Sequence, residues 1–246
     1  MKKIFVLLAI AATLSAVSCS KNNANKKDKG GKEQTEYVQP IKIDGDFSDW
    51  AKLDASKVAT ATCDPDCSKT ALKLVKVYAD NVFIFVYFEW DKEQISYEPD
   101  VDHVPFHVYI NGDGNTATGG FGDQWADACT DVMFEGHLYP DGATLGSYAP
   151  SIFKWVGEVN GTGWDGCWED LGDINGITSG AGIEGKYEFS IVRELYPLGK
   201  LADTFSIGFD IQQKWNSVGI LPNGHVDEAV EGSTELVNSL TVVTVK

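Results

Sequence analysis

Short stretches rich in β-branched and aromatic residues recur along this chain, separated by Gly, Asn and Asp residues. Apolar and polar side chains alternate in stretches such as Val132 to Gly136, which is typical of strands that bury one face. The segment Ala79-Asp80-Asn81 separates two such stretches and predicts a hairpin. The predicted strands are 72–77, 82–90, 106–110, 131–138, 186–192, 204–212 and 237–245.

Helical signals are sparse. Only 193–197 suggests a short helical turn, and no longer stretch keeps a 3.6-residue apolar period. Many short strands separated by turn signals predict an all-β fold, here an antiparallel β-sandwich with jelly-roll or immunoglobulin-like packing of two sheets. The Gly- and Trp-rich stretch 157–172 is expected to be an insertion in this sandwich.

The beginning of the chain has the pattern of a secretory signal. Lys2 and Lys3 precede an apolar run that is too short to span a bilayer, and small residues follow it. The Ala-Val-Ser-Cys ending at Cys19 resembles the lipobox of bacterial lipoproteins, in which that Cys is lipidated; ordinary cleavage near Ser18 is the alternative. We therefore expect a signal peptide at 1–18, a flexible tether at 19–36, and one domain at 37–246, exported and anchored to the outer membrane.

The charge of the chain restricts its partners. A formal net charge of −16 disfavours nucleic acid and anionic membrane surfaces, so we expect membrane contact through the lipid anchor alone. The same charge suits divalent cations and is neutral with respect to sugars.

Four further cysteines follow Cys19. In an exported chain they favour disulfides, with Cys63–Cys67 as the local pair and Cys129–Cys167 as the remaining long-range pair. A zinc site made of all four thiolates is the alternative, although their spacing lacks paired CxxC motifs.

Four motifs stand in order within 41–136. They are IDGDFSDW at 43–50, VYADNVFIFV at 77–86, VYINGDGNTATG at 108–119 and ACTDVMFEG at 128–136. Their order and spacing resemble the family 9 carbohydrate-binding modules and the wider DOMON-like β-sandwich superfamily. In the first motif, Asp44-Gly45-Asp46 suits a turn, and we interpret Trp50 as a core residue.

The third motif is a candidate calcium loop. Asn111, Asp113 and Asn115 occupy alternate positions, and calcium prefers six to eight oxygen ligands. The resemblance implies a structural calcium held by these three residues with Asp131 from the neighbouring strand. Asn111 stands where the family usually has Asp, which weakens the site unless Asp123 or Asp127 compensates for the missing charge. The alternative is that these residues only form a turn.

Sugar binding requires exposed aromatic rings beside polar groups. The positions that hold the family's two stacking Trp residues correspond here to 100–103 and 230–233, and neither contains an aromatic residue. A different platform is conceivable on the Gly- and Trp-rich stretch, with Trp155, Trp164, Trp168 and Asp165 as ligand-binding residues. Core packing is the alternative for these Trp residues.

The sequence contains no nucleophile elbow, phosphate loop or HExxH motif, so we expect no catalytic activity. The expected function is a non-catalytic, calcium-stabilised glycan-binding surface lipoprotein. The alternatives are a structural or adhesive cell-surface module that binds no small sugar, and an accessory domain to a partner enzyme.

Overall fold

Strands dominate the computed structural model of this chain. It describes residues 37–63, 70–95, 104–121, 124–127, 129–138, 151–173, 178–183, 185–193, 196, 198–213, 216–222 and 236–246. Within these ranges three short 3₁₀ helices cover Phe47–Lys52, Ala55–Lys57 and Lys92–Gln94. The strands are β1 (Ala59–Thr62), β2 (Leu72–Ala79), β3 (Phe83–Trp90), β4 (Val104–Asn111), β5 (Val132–Leu138), β6 (Ser151–Trp155), β7 (Trp168–Asp173), β8 (Thr178–Ile183), β9 (Lys186–Val192), β10 (Thr204–Gln213), β11 (Asn216–Leu221) and β12 (Leu240–Val243).

The strands form two antiparallel sheets. One has the order β1-β2-β3-β9-β8, and the other has the order β11-β10-β4-β5-β6-β7, with β12 also pairing with β10. The predicted all-β antiparallel sandwich is confirmed. The Gly- and Trp-rich stretch is part of the second sheet. It contains most of β7, which pairs with β6, and the loop that connects these two strands. No described helix is long and apolar enough to cross a membrane.

Large apolar side chains from both sheets meet in one core. Phe88 on β3 lies at its centre, with its ring 5.2 Å from that of Phe106 and 6.0 Å from that of Phe209 on the opposite sheet. All three are at most 1% exposed. Burying a side chain of this size contributes about 1.5–3 kcal/mol, so this interior stabilises the sandwich more than any surface contact.

Strand β3 is buried on its outer face as well. Phe85 and Tyr87 point away from the sandwich core and pack with Ile41, Trp50 and Tyr78 in a second apolar cluster. The segment before β1 therefore covers the five-stranded sheet from outside. This double burial explains why β3 reads as a continuous apolar run rather than an alternating one.

Glu188 on β9 fixes that covering segment. The side chain is fully buried, and its carboxylate accepts hydrogen bonds from the backbone N–H groups of Asp44 (3.1 Å) and Gly45 (3.0 Å) and from Trp50 Nε1 (3.0 Å). Gly45 has a φ of 81°, which favours glycine at this turn. Burial raises the pKa of Glu188, and the three N–H donors oppose that rise.

Strand β4 is likewise covered on its outer face. Tyr109 packs there with Phe121, Trp125 and Met133. The Trp125 ring lies directly against Gly208 on β10, where an added Cβ would come within 2.4 Å of it. A glycine at position 208 is therefore required for this close approach.

The predicted Cys129–Cys167 disulfide is wrong. Both residues are free thiols. Cys129 has a φ of 56° and directs its Sγ towards the Thr116 carbonyl (3.3 Å) and Asn160 Oδ1 (3.1 Å), while Cys167 Sγ lies 3.8 Å from the Asp165 carbonyl. Cys67 lies outside the described residues, so the Cys63–Cys67 pairing and the four-thiolate zinc site stay predictions.

Replacing Glu188 by Ala is expected to lower the free energy of unfolding by about 3 kcal/mol, because the buried Trp50 Nε1–H and two partly buried backbone N–H groups lose their acceptor. Urea denaturation measures the loss. Glu169→Ala at an exposed position of β7 is the control. A loss no larger than that of the control would contradict the role assigned to Glu188.

Cys167→Ser is expected to change the free energy of unfolding by less than about 1 kcal/mol, because no cross-link is removed. Loss of a native disulfide would cost about 2–5 kcal/mol. Denaturation of the wild type and the variant without reductant distinguishes the two values. A loss in the higher range would show that Cys167 does form a disulfide.

Candidate functional site

Three polar side chains stand side by side on the outer face of the seven-stranded sheet. The strand registers pair Asp210 on β10 with His107 on β4, and His107 with Glu135 on β5. His107 Nε2 lies 2.9 Å from Glu135 Oε2, and its Nδ1 lies 3.1 Å from the Tyr109 hydroxyl. We call Asp210, His107 and Glu135 the polar row.

Hydrogen bonds hold the polar row in place. Asp210 is 1% exposed and accepts from Gln212 Nε2 at 2.8 Å and from Ser217 Oγ at 2.5 Å. His107 is equally buried, whereas the Glu135 side chain is 16% exposed. Buried polar groups are stable only when they are hydrogen-bonded, so these contacts give the row a defined geometry.

An exposed tryptophan lies over this row. The Trp164 ring stacks on His107 with 5.8 Å between ring centroids and an interplanar angle of 28°. The Trp164 ring also lies near Phe121 (5.8 Å between centroids) and Trp168 (6.0 Å), yet Trp164 remains 43% exposed. The loop between β6 and β7 thus places an accessible indole beside fixed polar groups.

The other predicted platform residues are less accessible. Trp155 is 7% exposed and donates from Nε1 to the Glu158 carbonyl at 3.0 Å. Trp168 is half-buried and meets the Trp155 ring edge-on at 5.0 Å. The Trp155 and Trp168 rings therefore pack against each other and are not accessible as a flat platform. Among the four predicted residues, only Trp164 and Asp165 are exposed.

The candidate calcium loop follows β4 directly. Asp131 accepts from the backbone N–H of Gly112 at 2.9 Å and of Asp113 at 3.4 Å, so the loop wraps around its carboxylate. Asn111 Oδ1 accepts from Gly114 N–H at 3.0 Å, and Asn115 Oδ1 accepts from Ala117 N–H at 3.0 Å. The four predicted ligands therefore lie near one another: Asn111 ends β4, Asp113 and Asn115 belong to the loop, and Asp131 directly precedes β5.

The carboxylates of Asp113 and Asp131 are close enough for their charges to interact. Burial raises the pKa of Asp131, and the charge of Asp113 adds to the rise. Within the described ranges no Lys or Arg forms an ion pair with either carboxylate, and no three His, Cys, Asp or Glu side chains form a metal-binding group. The candidate set has only two such side chains and completes its oxygens with two amides, a donor set that suits calcium.

Asp127 does not contribute to the loop. Its carboxylate accepts from the backbone N–H (2.7 Å) and hydroxyl (3.0 Å) of Ser239. Asp123 lies outside the described residues.

The polar row was not predicted from the sequence, although a signal was present. His107 and Asp210 each interrupt an apolar strand between large side chains that face the core, namely Phe106 and Val108, and Phe209 and Ile211. A polar residue at such a position must face outwards. Finding that the three residues are neighbours requires the strand order, which the sequence does not contain.

The fold and this site define a two-sheet antiparallel β-sandwich with an aromatic and polar outer face. No protein-family model matches the chain, and no curated protein is significantly similar to it. The resemblance to family 9 carbohydrate-binding modules and DOMON-like domains therefore stays a prediction.

Proposed function

We propose that this domain is a non-catalytic glycan-binding module and that the sugar stacks on Trp164. The observation that carries the proposal is the exposed Trp164 ring held over the polar row by His107. A pyranose presents C–H groups on its face and hydroxyls at its rim. An indole beside hydrogen-bonding side chains matches both.

The charge of the site favours a neutral glycan. Glu135 and Asp210 are acidic, and the whole chain carries a net charge of −16, so uronic or sulfated sugars are repelled at this face. Glu135 is the member of the row with accessible surface and is the acceptor that we assign to a sugar hydroxyl.

Calcium has a supporting role in this proposal. Asn111, Asp113, Asn115 and Asp131 would hold the ion, which would neutralise the two carboxylates. The loop continues directly from β4, which carries His107. An ordered loop would therefore stabilise the strand at the centre of the glycan site.

The proposed setting is the outer membrane, with the domain tethered through lipidated Cys19. That residue lies outside the described part of the chain, and the proposal rests on the signal pattern of 1–19. A tethered module with no catalytic role suits capture of polysaccharide for partner proteins.

Trp164→Ala is expected to weaken glycan binding at least tenfold, about 1.4 kcal/mol, while the fold is kept. A glycan array on the wild-type protein identifies a neutral ligand, and calorimetry on that ligand compares the variants. Tyr37→Ala removes another aromatic ring of similar exposure, 45% against 43%, and is expected to bind normally.

A folded wild-type protein that binds no glycan would overturn this proposal in favour of the structural or adhesive alternative. Equal weakening by Trp164→Ala and Tyr37→Ala would place the sugar elsewhere.

Calcium is expected to raise the melting temperature at pH 7 in the wild type but not in Asp131→Asn. Without calcium, the raised pKa of Asp131 makes its protonated form favour the folded state. This contribution to stability is fully present below pH 3.8, the ordinary pKa of the group, and is lost as the pH rises through the folded-state pKa. Asp131→Asn removes that loss. Calcium must displace a proton from Asp131 below its folded-state pKa, so the calcium effect should shrink as pH falls towards about 4.

Glu158→Gln, at an exposed position outside the loop, is the control for charge removal and should respond to calcium like the wild type. If calcium leaves the melting temperature of the wild type unchanged, the loop binds no calcium and only forms a turn.

A further inference from the structure

A cavity lies away from the glycan site. It has a volume of about 580 Å³ and is lined by Asn81, Arg193, Tyr196, Lys200, Asp203 and Lys246, among others. These residues come from the β2–β3 turn, the end of β9, the segment before β10 and the end of the chain. Three cationic side chains and one acidic side chain line this cavity, in contrast with the acidic character of the chain.

Arg193 is the unusual member of this lining. It is 9% exposed, and its Nη2 donates at 3.4 Å and 3.3 Å to the carbonyls of Leu201 and Ala202. Its Nη1 has no hydrogen-bond partner in the described part of the chain. The two carbonyls and the Phe205 ring, whose centroid lies 5.8 Å from the guanidinium carbon, replace part of the hydration that Arg193 loses on burial. Among the residues that the structure describes, Nη1 stays unsatisfied and no anion neutralises the charge, which is costly in a buried position.

The nearby carboxylates are already engaged. Asp203 Oδ2 pairs with Lys246 Nζ at 2.5 Å. Asp80 Oδ1 accepts from the backbone N–H groups of Val82 (2.7 Å) and Phe83 (2.8 Å) in the hairpin turn. Both influence Arg193 only through their charge, so its guanidinium forms no ion pair among the described residues.

We propose that this cavity binds an oxyanion, that is a carboxylate, phosphate or sulfate group, between Arg193, Lys200 and Lys246. Arginine and lysine bind such groups through charge-assisted hydrogen bonds. Lys200 and Lys246 are exposed and meet the anion first. Arg193 Nη1 is shielded from solvent, so pairing with it requires a small side-chain adjustment.

The test is a thermal titration of the full chain with sodium sulfate, sodium phosphate or sodium acetate, against sodium chloride at equal ionic strength. We expect at least one oxyanion to raise the melting temperature in a saturable manner, and the three arms identify the preferred group. The double variant Lys200→Ala/Lys246→Ala should weaken this binding at least tenfold. Lys52→Ala/Lys186→Ala removes the same charge at exposed positions outside the cavity lining and should bind normally.

Sulfate and phosphate also stabilise proteins by exclusion from the surface, an effect that does not saturate and does not depend on a particular lysine. A linear rise shared by both double variants would therefore overturn the proposal, as would an absence of response to all three anions. Arg193→Gln provides a second readout: if it folds, it should lose the saturable response while keeping both lysines.

Discussion

Strands β3 and β4 both need to be covered from outside, because β3 carries large apolar side chains on both faces and β4 carries the Tyr109 ring beside His107 on its outer face. The rest of the architecture follows from that need. Their inner faces meet in the sandwich core through Phe88 and Phe106. Their outer faces would each expose an apolar patch if the two sheets were all that the chain provided. The segment before β1 covers β3, and a cluster of aromatic residues that includes Trp125 and Trp155 covers the outer face around β4. The domain is in effect a four-layer structure.

A buried carboxylate lies beneath each outer layer. Glu188 accepts from three N–H groups of the segment that covers β3, whereas Asp210 accepts from Gln212 and Ser217 of its own sheet, so only Glu188 ties a covering segment to the strands below it. Apolar packing alone would allow a covering segment to slide, whereas a satisfied buried carboxylate accepts only one arrangement of donors. The two layers differ in their outcome. In the layer over β3 the Trp50 side chain is buried, whereas in the layer over β4 the Trp164 side chain stays exposed.

The sequence was sufficient for the features that depend on local pattern. The hairpin of β2 and β3 and the strand β9 could be read directly, because alternation and turn residues are local properties. Strands β1, β6, β7, β8 and β11 were not predicted. Strands β1 and β8 consist mostly of small residues and β7 is rich in acidic ones, whereas β6 and β11 are too short to show a clear alternation, so pairing with their neighbours is what holds all five. The polar row and the free thiols of Cys129 and Cys167 depend on which strands are adjacent and where a backbone turns, and neither is encoded within one stretch of residues. Trp50 in the motif IDGDFSDW is buried as predicted, but it lies in the cluster outside the five-stranded sheet and not in the sandwich core. Its partner Glu188 lies 138 positions later.

Gly208 has a consequence for how this chain reaches a single pairing of its strands. Ile207 and Phe209 are large, and a shift of β10 by one position against β4 would turn one of them to the outer face, beneath the ring of Trp125. That space accepts hydrogen atoms and nothing larger, and the same shift would expose every core side chain of the strand. Trp125 therefore cannot pack over a misaligned β10. The missing side chain at position 208 thus favours the native register of β10 during folding.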